Sequence, residues 1–247
     1  VAEVAASPPG RRVGAFFDLD GTLVAGFTAV ILTRERFRNR DMGVGELISM
    51  IAAGLNHQLG GIEFETLINK ASGALRGRSY SDLLQIGERL FVEQIEKRIY
   101  PEMRELVQAH LERGHTVVLS SSALTIQAEP VARFLGIPNT LTNRFEVDGD
   151  GALTGRVITP ILWGPGKADA VQEFAAQNDI DLADSYFYAD GDEDVALMYL
   201  VGNPRPTNPG DKMREVARKR GWPILEFNSR GRGGLIGQVR NLLGAGS

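Results

Sequence analysis

Apolar residues along the chain fall into two kinds of pattern, and their order predicts the architecture. VGAFFDL (13–19) is a short, nearly unbroken apolar run closed by turn residues, as in a strand buried on both faces. HTVVLSS (115–121), SYFYAD (185–190) and WPILEF (222–227) repeat the pattern. Between the later runs, apolar positions recur at helical spacing in ALTIQAEPVARFLG (123–136), GKADAVQEFAAQN (166–178) and DKMREVARKRG (211–221). Strands alternating with helices predict an α/β fold with a Rossmann-like, mainly parallel sheet. NRFEVDGDGALTGRV (143–157) instead sets a DGDG turn between two alternating runs, which predicts a β-hairpin.

Residues 27–98 break the alternation. FTAVILTRERF, VGELISMIAAGL, FETLINKASGAL and DLLQIGERLFVEQIEKR all carry apolar residues at helical spacing, with no strand candidate among them. An all-helical cap inserted after the first strand is expected. There it would cover the carboxyl ends of the strands, where open α/β sheets bind ligands. The expected organisation is a disordered N-terminal segment (1–12), an α/β core (13–26 and 99–228), the cap (27–98) and a linker-like tail (229–247). The tail, NSRGRGGLIGQVRNLLGAGS, is rich in Gly and Arg and reads as a connection to a further segment.

Composition narrows the class. The 247 residues include no cysteine, which excludes thiol catalysis, thiolate zinc sites and disulfides. A net charge of −4 is not that of a nucleic-acid binder. No stretch of about 18 apolar residues could span a bilayer, and the N-terminus lacks a signal-peptide pattern. A cytoplasmic location is expected.

The predicted strand ends carry the chemistry. The first delivers Asp18 and Asp20, whose like charges crowd each other unless a cation or a reaction uses them. The second delivers Ser120, followed by Ser121 and Ser122; the third delivers Asp190, then Asp192, Glu193 and Asp194. GPGKA places Lys167 in the first turn of a helix. Oxygen-only carboxylate ligands suit Mg²⁺. A hydroxyl and a lysine at a helix start suit phosphate oxygens, and a remaining aspartate can accept a phosphoryl group. Rival motifs fail on spacing. DGDEDV lacks the Gly and Glu of a calcium loop, having Val195 and Val201 there, and GPGKA has Ile161 and Ala168 where a P-loop needs Gly and Ser or Thr. His57, His110 and His115 have no partners at metal-ligand spacing and are expected to be structural or solvated. Arg76 and Arg78 could reach a substrate anion.

In these residues the chain resembles the haloacid dehalogenase-like (HAD) phosphatase superfamily, in its phosphoserine-phosphatase-like subclass with a C1 cap. DLDGT, the strand-end serine of VVLSSS, the lysine of GPGKA and DGDED match its four motifs in order. The resemblance implies a nucleophile and magnesium ligand at Asp18. It implies a general acid/base at Asp20, with its backbone carbonyl on the metal, and phosphate contacts at Ser120, Ser121 and Lys167. It further implies magnesium binding at Asp190 and Asp194. Asp20 should then need a pKa well above the usual carboxylate range.

Two positions depart from the subclass. VAGFT follows the first motif where phosphoserine phosphatases typically carry a glutamate, and Glu193 precedes the last aspartate. More narrowly, the chain is similar to the phosphatase-like half of actinobacterial proteins joined to a glycerolipid (1-acylglycerol-3-phosphate) acyltransferase. That similarity implies a downstream acyltransferase domain, contact with a membrane through it, and a lysophospholipid-type phosphate such as lysophosphatidic acid as substrate. The alternatives are a small-metabolite phosphatase of the phosphoserine kind and a non-catalytic phosphate-binding domain of a lipid-biosynthetic protein.

Overall fold

The computed structural model describes residues 1–38 and 61–227. The predicted helical segment 44–55, His57 and the tail 229–247 lie outside the described residues.

The first strand, β1 (Val13–Phe17), is buried at every position, and its side chains divide between two faces. Val13, Ala15 and Phe17 join one apolar cluster, Phe16 the other. Such two-sided burial places β1 in the middle of a sheet. β2 (Thr116–Leu124), β3 (Asn139–Asn143), β6 (Asp181–Ala189) and β7 (Asn203–Pro206) complete it in the order β3-β2-β1-β6-β7, with all neighbours parallel. β4 (Phe145–Val147) and β5 (Leu153–Val157) form the predicted hairpin. Its turn is tied by Asp148, whose Oδ1 accepts from the N–H groups of Asp150 and Ala152 at 3.0 and 2.9 Å.

Helices cover both faces. On one side lie α5 (Pro101–Glu112) and α6 (Thr125–Leu135), burying Met103, Val107, Val131 and Leu135 against β1 and β2. On the other lie α7 (Pro165–Gln177), the short α8 (Val195–Met198) and α9 (Asp211–Arg220), packed on Phe16, Val118 and Phe187 through Val171, Leu197 and Met213. Each fully buried aromatic here is worth roughly 1.5–3 kcal/mol.

The described elements of the insertion are helical, apart from a turn at 74–79 in which Ser79 bridges to Ala152 of the hairpin. The helices are α2 (Thr28–Arg38), α3 (Gly61–Gly73) and α4 (Tyr80–Leu90), the last running on through a π-helical turn (Phe91–Ile95) and a 3₁₀ turn (Glu96–Arg98). Ser79 caps α4 by accepting from the Asp82 N–H at 3.3 Å. Gly87 lets α4 press on α6, since a Cβ there would stand 2.3 Å from the Ile126 carbonyl.

The structure corrects two sequence expectations and adds two strands that the apolar pattern does not show. The N-terminal segment, expected to be disordered, begins with α1 (Ala2–Ala6), which buries Val4, and Ser7 just after it is buried too. Arg113 binds the Ser7 carbonyl through Nε and Nη2 at 2.9 and 2.6 Å, anchoring the segment to the end of α5. WPILEF is not a ladder strand. The place beside β6 belongs to β7, NPRP, and Leu225 contributes one parallel bridge through its N–H to the Pro206 carbonyl at 2.8 Å. Two prolines suit β7 to a sheet margin, where their missing N–H groups cost no ladder bond. β3, NTLTN, receives no element from the sequence because an edge strand half open to solvent needs no apolar run. No helix among the described residues is long and apolar enough to cross a membrane.

Candidate active site

The strand register builds the site. Phe17 pairs with Leu119 on one side and Tyr188 on the other, so the next residues, Asp18, Ser120 and Ala189, stand at one level at the carboxyl end of β1. The Asp18 N–H still donates to the Tyr188 carbonyl at 2.9 Å, which fixes where the Asp18 side chain departs.

Lys167 enters from the first turn of α7 and is 2% exposed. Its Nζ donates to Asp18 Oδ1 at 2.7 Å and to Asp194 Oδ2 at 3.0 Å, with Asp194 Oδ1 at 2.9 Å. Burial pushes the ammonium toward its neutral form, but Asp18 and Asp194 outweigh it and hold the pKa above the usual lysine value. Removing one partner of such a buried pair typically costs about 3–5 kcal/mol.

Asp20 stands apart from that pair. Its Oδ1 accepts the Thr28 N–H at 2.7 Å and its Oδ2 accepts the Thr28 hydroxyl at 3.1 Å. Thr28 is the first residue of α2, so the carboxylate sits on the N-terminus of a cap helix. Burial lifts the Asp20 pKa to about 7; the Thr28 N–H opposes it, and the Asp18 charge adds to the rise. The sequence expectation of a raised pKa at this position holds.

Asp190 follows directly after β6 and faces the turn that leaves β1. Its Oδ1 accepts the Thr22 hydroxyl at 3.3 Å, and Gly21 makes the approach feasible. A Cβ on Gly21 would fall 2.0 Å from Asp190 Oδ2, and Gly21 has φ +77°, where side chains are strained. Burial, with the charges of Asp18, Glu193 and Asp194, pushes the Asp190 carboxyl well above the usual range. Burial also raises Glu193 and Asp194, and for Asp194 it outweighs the attraction of Lys167.

Ser120 is fully buried, and its hydroxyl has no hydrogen-bond partner. A buried unpaired hydroxyl is costly unless a ligand completes it, and a phosphate oxygen is the natural complement here. Ser121, expected beside it as a phosphate contact, has its oxygen accepting the Ala123 N–H at 3.2 Å and orders the turn. Arg76 is exposed against the hairpin, 3.1 Å from where a Cβ of Gly155 would lie.

Among the described residues no three acidic or imidazole groups converge at metal-ligand spacing, because Lys167 draws Asp18 and Asp194 while Thr22 holds Asp190. The donor chemistry still fits an oxygen-seeking dication. Asp18, Asp190, Glu193 and Asp194 crowd one another with a single ammonium among them, and Asp194 Oδ1, 2.9 Å from Lys167 Nζ, accepts no well-aligned hydrogen bond. A Mg²⁺ ion would relieve both conditions.

Sequence reasoning located Asp18, Asp20, Ser120, Lys167, Asp190 and Asp194 by their strand ends and helix starts. It passed over Thr22 and Thr28. Thr22 stands beside Gly21 in the turn that receives Asp190, and the signal for it was the glycine. Thr28 lies beyond the turn, at the start of the cap's first apolar-periodic segment.

Known proteins resemble this chain over most of its length. The family model for haloacid dehalogenase-like hydrolase matches residues 15–199. Phosphoserine phosphatase SerB1 of Mycobacterium tuberculosis is 34% identical over 234 residues, covering 93% of this chain and 76% of that protein. Histidinol-phosphatase of Neisseria meningitidis serogroup C is 30% identical over 176 residues, 70% of this chain and 79% of its own length. A crystal structure of a protein with unknown function from Bordetella pertussis Tohama I superposes with a TM-score of 0.76 at 26% identity, covering 87% of this chain and 98% of that one.

Proposed function

The chain belongs to the haloacid dehalogenase-like hydrolase family, and on that premise we propose that it is a Mg²⁺-dependent phosphomonoesterase for small polar substrates, working through an aspartyl-phosphate on Asp18. The observation that carries the proposal is the division of labour between two carboxylates two residues apart. Asp18 is ion-paired with Lys167, whereas burial lifts Asp20 to about 7, within reach of a proton at neutral pH.

In the first step an Asp18 oxygen attacks phosphorus, the ester P–O bond breaks, and Asp20 gives its proton to the departing alkoxide. In the second step Asp20 takes a proton from water, the water oxygen attacks phosphorus, and the bond to Asp18 breaks to release phosphate. Lys167 and Ser120 hold the non-bridging oxygens as their charge redistributes. Asp18, Asp190 and the Asp20 carbonyl would hold Mg²⁺, with Asp194 beside it. When bound, the ion supplies charge neutralisation to the phosphoryl oxygens.

The reading of the substrate changes with the comparisons. The relatives bear the names phosphoserine phosphatase and histidinol-phosphatase, and both concern small polar monoesters. They support the small-metabolite alternative over the lysophospholipid that the narrower resemblance implied. The test is phosphate release with Mg²⁺ from phosphoserine, histidinol phosphate and lysophosphatidic acid at equal concentration. Turnover of either small monoester well above the lipid is expected; a preference for the lipid would overturn the substrate assignment.

A further inference from the structure

We propose that Gln127 is a positioning residue for the general acid, acting through Thr28; the inference rests on the phosphomonoesterase reading above. Gln127 is 7% exposed, sits in the first turn of α6, and uses both ends of its amide. Its Oε1 accepts the Leu124 N–H at 3.0 Å, and its Nε2 donates to Thr28 Oγ1 at 3.0 Å. A hydroxyl that accepts from an amide N–H must turn its own hydrogen elsewhere, and Asp20 Oδ2 stands at 3.1 Å. Gln127 therefore sets the direction of the Thr28 hydroxyl, and the hydroxyl sets the second contact of the Asp20 carboxylate. Two oxygens gripped by one residue fix the plane of the carboxyl group. A single contact, the Thr28 N–H at 2.7 Å, would leave it free to rotate.

The arrangement joins three parts of the molecule. Gln127 follows β2, which carries Ser120, Thr28 begins the cap, and Asp20 follows β1. Ser120 and the acid are thus held in a common frame by buried bonds, with Thr28 itself 1% exposed. The chain separation of Gln127 and Thr28, 99 residues, makes this a tertiary device rather than a local turn.

An acid matters most when the departing group cannot leave as an anion. Two substrates separate the roles: phosphoserine, whose alkoxide needs a proton, and p-nitrophenyl phosphate, whose phenolate does not. In Gln127→Met, kcat/KM should fall about tenfold for phosphoserine, the worth of one well-placed hydrogen bond, and less than about threefold for p-nitrophenyl phosphate. Thr28→Val should show the same selective loss, and the double variant should lose no more than the larger single loss, because both changes cut one chain of contacts. Thr28→Ser, which keeps the hydroxyl, should restore discrimination between the substrates to the wild-type ratio. Equal losses on both substrates, or additive losses in the double variant, would overturn the positioning role. Failure of the wild-type protein to hydrolyse either substrate would instead overturn the phosphomonoesterase reading and the inference with it.

Discussion

His110 offers a quantitative test of the fold beneath the site. It is wholly buried at the end of α5, and with His115 kept neutral by burial its hydrogen bonds allow one arrangement of protons. His115 Nε2 faces the Pro8 carbonyl at 2.9 Å and must donate, which leaves His115 Nδ1 as an acceptor. His110 Nδ1, 2.7 Å away, therefore carries the hydrogen, and His110 Nε2 accepts from the Tyr188 hydroxyl at 2.9 Å. Both imidazoles are neutral in this chain of bonds. Burial, then the neighbouring His115 and the N-terminal amine, depress the His110 pKa from 6.5 to about 3.

The sign of the effect follows. The unfolded chain binds a proton near pH 6.5 and the folded chain refuses it, so the stabilisation is complete above that pH and drains away as pH falls toward 3. At about 1.4 kcal/mol per pH decade, roughly 3 kcal/mol is lost by pH 4. The perturbation is His110→Gln, read by urea unfolding of both proteins from about pH 7.5 to about pH 4. At the upper pH the variant should be about 2 kcal/mol less stable, through lost bonds and packing. At the lower pH that deficit should vanish or reverse, because only the wild type carries the titrating imidazole. A deficit constant across the range would refute the proton-locked network.

Two further predictions concern the carboxylates. Gly21→Ala should lower Mg²⁺ affinity at least tenfold by calorimetry, because the new methyl would occupy the position of Asp190 Oδ2 and the backbone is at φ +77°; unchanged affinity would remove Asp190 from the metal site. Relative to Asp20→Asn, the metal-free protein should lose stability as pH rises from about 4 through 7, because Asp20 is protonated more readily in the folded than in the unfolded chain. Mg²⁺ should raise the melting temperature more at pH 8 than at pH 5, and equal stabilisation at both would show that the ion does not relieve the carboxylate crowding.

The central strands and their chemistry were legible because the same pattern serves both. An apolar run long enough for a central strand must end in a turn, and the residues at that end are the ones a parallel sheet offers to a ligand. Asp18, Ser120 and Asp190 therefore announce themselves. Marginal elements were not legible for the opposite reason. β3 and β7 have partners on few sides and can be built from NTLTN and NPRP, which carry little apolar signal. The N-terminal segment looked unstructured because its order comes from contacts far along the chain, the Ser7 and Pro8 carbonyls meeting Arg113 and His115. The bond between Thr28 and Gln127 is likewise invisible in sequence, since neither residue sits in a motif and the two meet only after the cap has folded onto α6.

The most direct test of the account is to trap the covalent intermediate. Protein incubated with Mg²⁺ and phosphoserine is quenched in acid within the first turnover, digested, and analysed by mass spectrometry, alongside Asp20→Asn incubated with p-nitrophenyl phosphate, whose phenolate leaves without the acid, to slow breakdown. The account predicts a phosphoryl group on the peptide containing Asp18, discharged by hydroxylamine and absent from Asp18→Asn. Turnover without label on Asp18, or label on Ser120 instead, would contradict it.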